Sequence, residues 1–313
     1  METVYHFVLN PAAGKRNAQD LIPHIEACMK DRDIPYVIYV TKEPGDCEHY
    51  IRRTCEEGKP VRFYVYGGDG TLNESINGAA NFENAAVGVI PGGSGNDFVR
   101  SFEHKEFFSD LNAQVEGEAI GFDLLRVNDR YSVNVTNIGF DCDVVVELMK
   151  LNKFPIMRGP FGYLAGVFVT LCRKMGQVMT ATLADGSTFT DSYLLCSFGN
   201  GRYYGGGFCA APRSCANDGL LEFTLVKKLR RLRFLSVLPC YKKGKHLDNP
   251  SLQKYITYAR TPSVKLHSDK PFGLSRDGEV SFHTDVEIEA IKNAIRIILP
   301  KGAAPLSGLI QNA

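Results

Sequence analysis

The chain has 313 residues, with 36 Lys plus Arg against 35 Asp plus Glu and a formal net charge of +1. That length suits one large domain or two ordinary ones, and 44% apolar with 23% charged residues excludes a disordered chain. Near neutrality argues against binding nucleic acid through bulk positive charge, so no nucleic-acid partner is expected.

Over the first third, short apolar runs alternate with helical patterns. Residues 4–9 read as a strand, and Leu21, Ile25, Cys28 and Met29 fall at helical spacing. A second strand is expected at 36–40, a polar helix at 46–58 and a third strand at 61–66. A short helix from Leu72 and a strand at 86–90 follow. Strands alternating with helices imply a mostly parallel sheet covered on both faces, with ligands at the carboxyl ends of its strands.

The rhythm changes near Gly121. Short strands are expected at 122–128, 131–137, 180–183, 192–198, 220–226, 263–267, 279–282 and 286–290, separated by Asn-Asp, Asp-Gly and Gly-Gly turns. Helices are expected at 143–151, 160–175 and 230–245. The second part therefore reads as an antiparallel sandwich. We expect an α/β domain at 1–121 and a β-sandwich at 122–294, with 295–313 returning to the first.

Targeting and redox signals are mostly negative. The N-terminus has no basic run leading into an apolar one, so no secretory signal is expected. The apolar stretch 161–172 is too short for the ~20 residues that span a bilayer. The nine cysteines are scattered without paired spacing, which favours reduced thiols and a cytoplasmic location over a disulfide framework or a zinc site.

Three loops follow strands and carry the chemistry. Gly67-Gly68-Asp69-Gly70-Thr71-Leu72-Asn73-Glu74 lies at a strand–helix junction. There glycines bring N–H groups to a phosphate and the helix N-terminus adds partial positive charge. Asp69 and Thr71 supply oxygens; a tight turn with Thr71 as helix cap is the bland alternative. Pro91-Gly92-Gly93-Ser94-Gly95-Asn96-Asp97 again permits close backbone approach, with Ser94 as a phosphate donor and Asp97 as an oxygen ligand for Mg²⁺. Asn10-Pro11-Ala12-Ala13-Gly14-Lys15 is not a Walker A loop, because the first Gly is absent and Arg16 follows the Lys.

Taken in order, these motifs resemble the diacylglycerol kinase catalytic family, which includes bacterial soluble diacylglycerol kinases, YegS-like lipid kinases and sphingosine kinases. The resemblance continues through Phe122-Asp123, Asn137-Ile138-Gly139-Phe140-Asp141, Asp218-Gly219-Leu220-Leu221 and Asp277-Gly278-Glu279. It implies a nucleotide-binding α/β domain of the NAD kinase/diacylglycerol kinase type, Rossmann-like, joined to a C-terminal β-sandwich with the active site between them. It also implies ATP and Mg²⁺ as cofactors.

The resemblance assigns nucleotide contacts to Asn10, Pro11, Ala12, Ala13, Gly14, Thr41, Gly67, Gly68, Asp69, Gly70, Thr71, Leu72, Asn73, Glu74, Gly92, Gly93, Ser94 and Asn96. Asp69 and Asp97 are expected to hold the catalytic Mg²⁺. Asp218 matches a structural Mg²⁺ ligand of the bacterial soluble members, in which flanking positions, here Cys215 and Leu220, contribute as well, some through carbonyls; Cys215 could give a backbone oxygen, but its side chain is a poor Mg²⁺ ligand. Asp277 is the expected base and Glu279 the second candidate or metal partner, although Asp-Gly is also a common hairpin tip. Asp185-Gly186, between two strands, is read as only that.

Two features bear on a lipid partner at the membrane surface. Lys227, Lys228, Arg230, Arg231, Arg233, Lys242, Lys243 and Lys245 interleave with leucines, a basic amphipathic segment suited either to anionic lipid or to a solvated helix face. Residues 161–168 suit either an acyl cleft or a buried helix. The expected reaction is phosphoryl transfer from ATP to a lipid hydroxyl, first of diacylglycerol, then of a sphingoid base or phosphatidylglycerol. NAD kinase and a non-catalytic nucleotide or lipid sensor are the alternatives, and a homodimer is left open.

Overall fold

The computed structural model describes residues 2–14, 17–151 and 176–311. The helical expectation at 160–175 and the acyl-cleft expectation at 161–168 lie outside the described residues. In chain order the strands begin with β1 (Val4–Leu9), β2 (Tyr36–Val40), β3 (Val61–Gly67), β4 (Ala85–Pro91) and β5 (Phe102–Glu103). Then come β6 (Glu118–Val127), β7 (Arg130–Ser132), β8 (Val135–Gly139), β9 (Gln177–Leu183) and β10 (Thr188–Gly199). The last are β11 (Tyr203–Tyr204), β12 (Phe208–Cys209), β13 (Leu221–Lys227), β14 (Ile256–Thr261), β15 (Ser263–Arg276), β16 (Glu279–Leu299) and β17 (Ala304–Pro305). The described α-helices are α1 (Ile22–Met29), α2 (Asp46–Glu56), α3 (Asp69–Ala79), α4 (Leu111–Val115), α5 (Phe140–Leu151) and α6 (Arg231–Lys242).

The N-terminal strands pair in parallel in the order β2-β1-β3-β4. β3 is buried on both faces, so apart from Arg62 near its start its sequence is apolar and its alternate side chains enter different cores. Phe63 and Val65 pack with Tyr50, Ile51, Leu72 and Ile76 of α2 and α3. Tyr64 and Tyr66 pack with Ile25 and Met29 of α1. Thr41, Asn10, Gly67 and Pro91 consequently stand in a row along one edge, at the carboxyl ends of β2, β1, β3 and β4.

Beyond β4 the sheet is mostly antiparallel, along β14-β13-β10-β8-β15-β16. Phe198, Phe223, Leu225, Leu266 and Leu274 fill the core of the sandwich. The turn at Asp185-Gly186 is the hairpin tip expected, with Ser187 N–H donating to Asp185 at 2.8 Å.

Several expected elements differ. The third helix starts at Asp69 rather than Leu72, because Gly68 is extended and Leu72 N–H closes the first turn on the Gly68 carbonyl. The strand expected at 131–137 is broken, because Val133 and Asn134 turn their N–H groups onto Asp277. Residues 279–282, 286–290 and 295–299 are one strand, β16. A bulge between Ile291 and Ile295 re-registers it against β6, and Ile297 then lies parallel to Val87 of β4.

Candidate active site

Gly67 ends β3, and the chain reverses at once into α3. A Cβ on Gly67 would lie 2.3 Å from Thr71 Cβ, so only glycine fits this junction. The first N–H groups of α3 have no carbonyl a turn behind them and face the strand ends. Gly68 and Gly93 meet backbone to backbone: a Cβ on Gly93 would fall 2.5 Å from Gly68 Cα. Gly14 closes the row, with φ +69° and no room for a Cβ beside the Gly92 carbonyl.

Side chains lock these loops together. Asn10 accepts the Ala12 N–H at 2.9 Å and donates to Thr71 Oγ1 at 2.8 Å. Thr71 therefore receives a bond from the first loop instead of capping α3. Asp69 reaches the third loop, where its two oxygens accept the N–H groups of Asn96 and Asp97 at 2.9 and 2.8 Å. Asn96, with φ +49°, ties back to Gly93 through two hydrogen bonds of 3.0 and 2.7 Å. Thr41 is buried beside the Leu9 carbonyl.

A cavity of about 330 Å³ opens beside these loops. Asp69, Ser94, Gly95 and Asp97 form one wall, and Asp277, Gly278, Asn137 and Ser275 another. Phe140, Val144, Tyr204, Phe208 and Leu238 give it an apolar floor. A broader groove of about 1120 Å³ lies along α1, lined by Asn17, His24, Arg32 and Tyr66, and Ser94 borders both.

Asp97 is buried and accepts Gly206 N–H at 2.9 Å, while Arg100 pairs with its other oxygen at 3.2 Å. Burial and then the neighbouring Asp69 charge push its carboxyl up, against the pull of Gly206 and Arg100. Asp277 receives four donors: Val133 N–H at 2.8 Å, Asn134 N–H at 3.1 Å, Val135 N–H at 3.2 Å and Asn73 Nδ2 at 3.3 Å. Burial pushes its carboxyl up, while these donors oppose the rise. Among the described residues, the amide oxygens of Asn134 and Asn137, both at this cavity, accept no protein donor.

The remaining expected site residues divide clearly. Pro11 and Ala12 are exposed on their loop, and Gly70 is exposed in the first turn of α3. Ala13 and Leu72 point into the cores beneath, so only their backbones face the strand ends. Glu74 accepts Gly45 N–H at 3.0 Å and braces the loop after Thr41. Glu279 is exposed at the start of β16 and does not line the cavity.

Cys215, Asp218 and Leu220 lie apart from the cavity. Asp218 accepts Leu220 N–H at 2.9 Å and is ion-paired with Arg260, while the buried Cys215 thiol donates to Asn217 at 3.2 Å. Buried Asp123 spends its oxygens on Gly219 N–H at 2.6 Å and Asn293 N–H at 2.8 Å. With Arg260 supplying the countercharge, this donor set does not fit Mg²⁺, which needs hard oxygens free to coordinate it. Asp69 and Asp97 stand together at the cavity wall, the Asp69 charge raising the proton affinity of Asp97; their oxygens accept the N–H groups of Asn96, Asp97 and Gly206, which a bound cation would have to share. Among the described residues no group of three or more His, Cys, Asp or Glu side chains forms a metal cage, so substrate phosphates and waters would complete any Mg²⁺ shell here.

No motif in the sequence marks Arg100, Gly206 or Asn134 beyond Gly205-Gly206-Gly207, whose three glycines all have positive φ.

The cavity thus joins the glycine loops to an apolar lining. The comparisons with known proteins cover both halves of the chain. The sequence model of the diacylglycerol kinase catalytic domain matches residues 4–127, and that of the YegS C-terminal NAD kinase beta sandwich-like domain matches 134–299. The chain is 30% identical to a protein named "Probable lipid kinase YegS-like" from Stenotrophomonas maltophilia, covering 97% of this chain and 98% of that one. It is 26% identical to a diacylglycerol kinase of Staphylococcus carnosus over 94% of each. A crystal structure of a diacylglycerol kinase from Bacillus anthracis superposes with a TM-score of 0.70 at 23% identity, over 95% of this chain and 96% of that one. An Archaeoglobus fulgidus NAD kinase shares the fold at TM-score 0.51 and 12% identity, over 95% and 94% of the two chains. The chain belongs to the diacylglycerol kinase/YegS-like lipid kinase family. It is a lipid kinase, a phosphotransferase with an α/β nucleotide-binding domain and a C-terminal β-sandwich. No helix among the described residues is long and apolar enough to cross a membrane.

Proposed function

We propose that the enzyme transfers the γ-phosphate of ATP to the hydroxyl of diacylglycerol at a membrane surface, giving phosphatidic acid. The observation that carries this reading is the cavity itself. Asp69, Ser94 and Asp97 face Asp277 across it, above a floor of Phe140, Val144 and Phe208. In this reading residues 1–121 with 295–313 hold the nucleotide, and 122–294 hold the lipid.

The N–H groups at the start of α3 and along Gly92–Ser94 bind phosphate oxygens, as unpaired donors at a helix N-terminus do. Asp69 and Asp97 hold Mg²⁺, which when bound neutralises phosphate charge. Asp277 accepts the hydroxyl proton as the lipid oxygen attacks in line. Its longest bond, 3.3 Å from Asn73, is the one the substrate hydroxyl displaces. Glu279 is the second candidate for the base.

The test is labelled ATP with a panel of lipids in mixed micelles, the product identified by mass. Labelled phosphatidic acid is expected. Label in a sphingoid base or phosphatidylglycerol would move the substrate, label in NAD would overturn the lipid reading, and no labelled product would favour a sensor.

A further inference from the structure

α6 carries apolar residues on two sides. Phe234 and Tyr241 are buried against the sandwich, while Leu232 is 82% and Leu235 44% exposed at the N-terminal end. Lys228, Arg230, Arg231 and Arg233 surround this exposed pair. Among the described residues no carboxylate pairs with Lys228 or Arg230. Large exposed leucines ringed by cations do not suit water alone, since the apolar surface stays hydrated and the like charges repel.

Leu232, Leu235 and Leu238 are spaced three apart, so they run up one side of the helix. Leu238 lines the catalytic cavity, and it also lines the small apolar pocket beneath α6. The stripe therefore leads from the exposed tip to the reaction site over about 9 Å of helix rise.

We propose that α6 is the bilayer-docking element. Its N-terminal turn seats Leu232 and Leu235 in an anionic lipid surface, and Leu238 leads the lipid to the cavity. The cations match an anionic surface, and the leucines match its acyl region. This deepens the lipid-kinase reading and rests on it.

The chain contains no tryptophan, so Leu232→Trp is a background-free reporter at an exposed position. The full chain is mixed with vesicles of phosphatidylcholine alone or of phosphatidylcholine with phosphatidylglycerol, without ATP. Blue-shifted emission, quenched by brominated acyl chains, is expected with the anionic vesicles only. Arg230→Gln with Arg231→Gln should weaken vesicle binding about 25-fold, about fivefold per charge. Lys243→Gln with Lys245→Gln should not. Each variant is first matched to wild type by circular dichroism.

Emission that stays water-like overturns insertion. Salt-sensitive binding without a blue shift would assign the arginines to a soluble polyanion instead. Equal loss from the lysine pair overturns the assignment to the N-terminal turn. Because the readout needs neither nucleotide nor turnover, insertion without phosphotransfer would fail the proposed reaction and not the docking surface.

Discussion

The carboxylate of Asp69 accepts the backbone N–H of Asp97 at 2.8 Å, across 28 residues of chain. One acid thus holds the other in place and, through its charge, raises the other's proton affinity. The same contact shapes the 91–97 loop and sets up the paired charge that, in the proposed reaction, a divalent cation would relieve. Replacing Asp69 by Ala removes two charge-assisted bonds, and urea unfolding should register a loss of about 3 kcal/mol. Asp69→Asn keeps only one of the two bonds, because its NH₂ faces the other donor, so it should lose at least about half of that stability, and its phosphotransfer should fall by at least about a hundredfold. Turnover near wild type in Asp69→Asn would dismiss the charge as unimportant.

The loop glycines separate shape from ligand contact. Gly14→Ala meets the Gly92 carbonyl at positive φ, so it should lower both stability and nucleotide affinity. Gly70 has open space around it. Gly70→Ala should unfold like wild type within about 0.5 kcal/mol, yet bind nucleotide more weakly if phosphate passes there. Unchanged affinity in calorimetric titration would remove Gly70 from the binding surface.

Asp277→Asn cannot satisfy four donors, because an amide turns its own NH₂ toward two of them. Unfolding should show a loss of about 1–3 kcal/mol, and lipid phosphorylation should drop by about a hundred- to ten-thousandfold. Nucleotide binding should persist. Glu279→Gln should cost far less. The opposite ranking of the two variants would make Glu279 the base.

Two buried groups away from the cavity make stability depend on pH. Burial pushes Glu222 up to about 8, so the native state holds its proton longer than the unfolded chain. Stability should therefore fall as pH rises from about 4.5 to 8, at up to about 1.4 kcal/mol per unit, then level off. Burial pulls His246 down to about 4, so the native state sheds its proton and stability should fall as pH drops from about 6.5 to 4. Denaturant midpoints from pH 4 to 9 test both. Glu222→Gln should flatten the alkaline side alone.

Much of the site was readable because its chemistry is local. A strand ending in Gly67-Gly68-Asp69-Gly70 needs only neighbouring residues to form a tight turn and expose N–H groups. The alternating strands and helices likewise declared a parallel sheet with its loops at one edge. Asp277-Gly278 was visible as a turn, and family resemblance marked it out from Asp185-Gly186.

What stayed hidden depends on contacts between distant segments. Asn73 reaches Asp277 across 204 residues and Gly206 reaches Asp97 across 109. No local pattern encodes either, because each joins segments that only the tertiary fold brings together. The Asp218 site shows the same limit, since its motif suits a cation and Arg260, brought opposite by the pairing of β13 with β14, already answers the charge. The near-neutral total of +1 also concealed a local arrangement. By itself the sequence determined which residues could bind phosphate and that basic residues cluster before Lys245. Only the tertiary structure decided that Leu232 and Leu235 stand exposed among them, because burial is set by what packs against a helix.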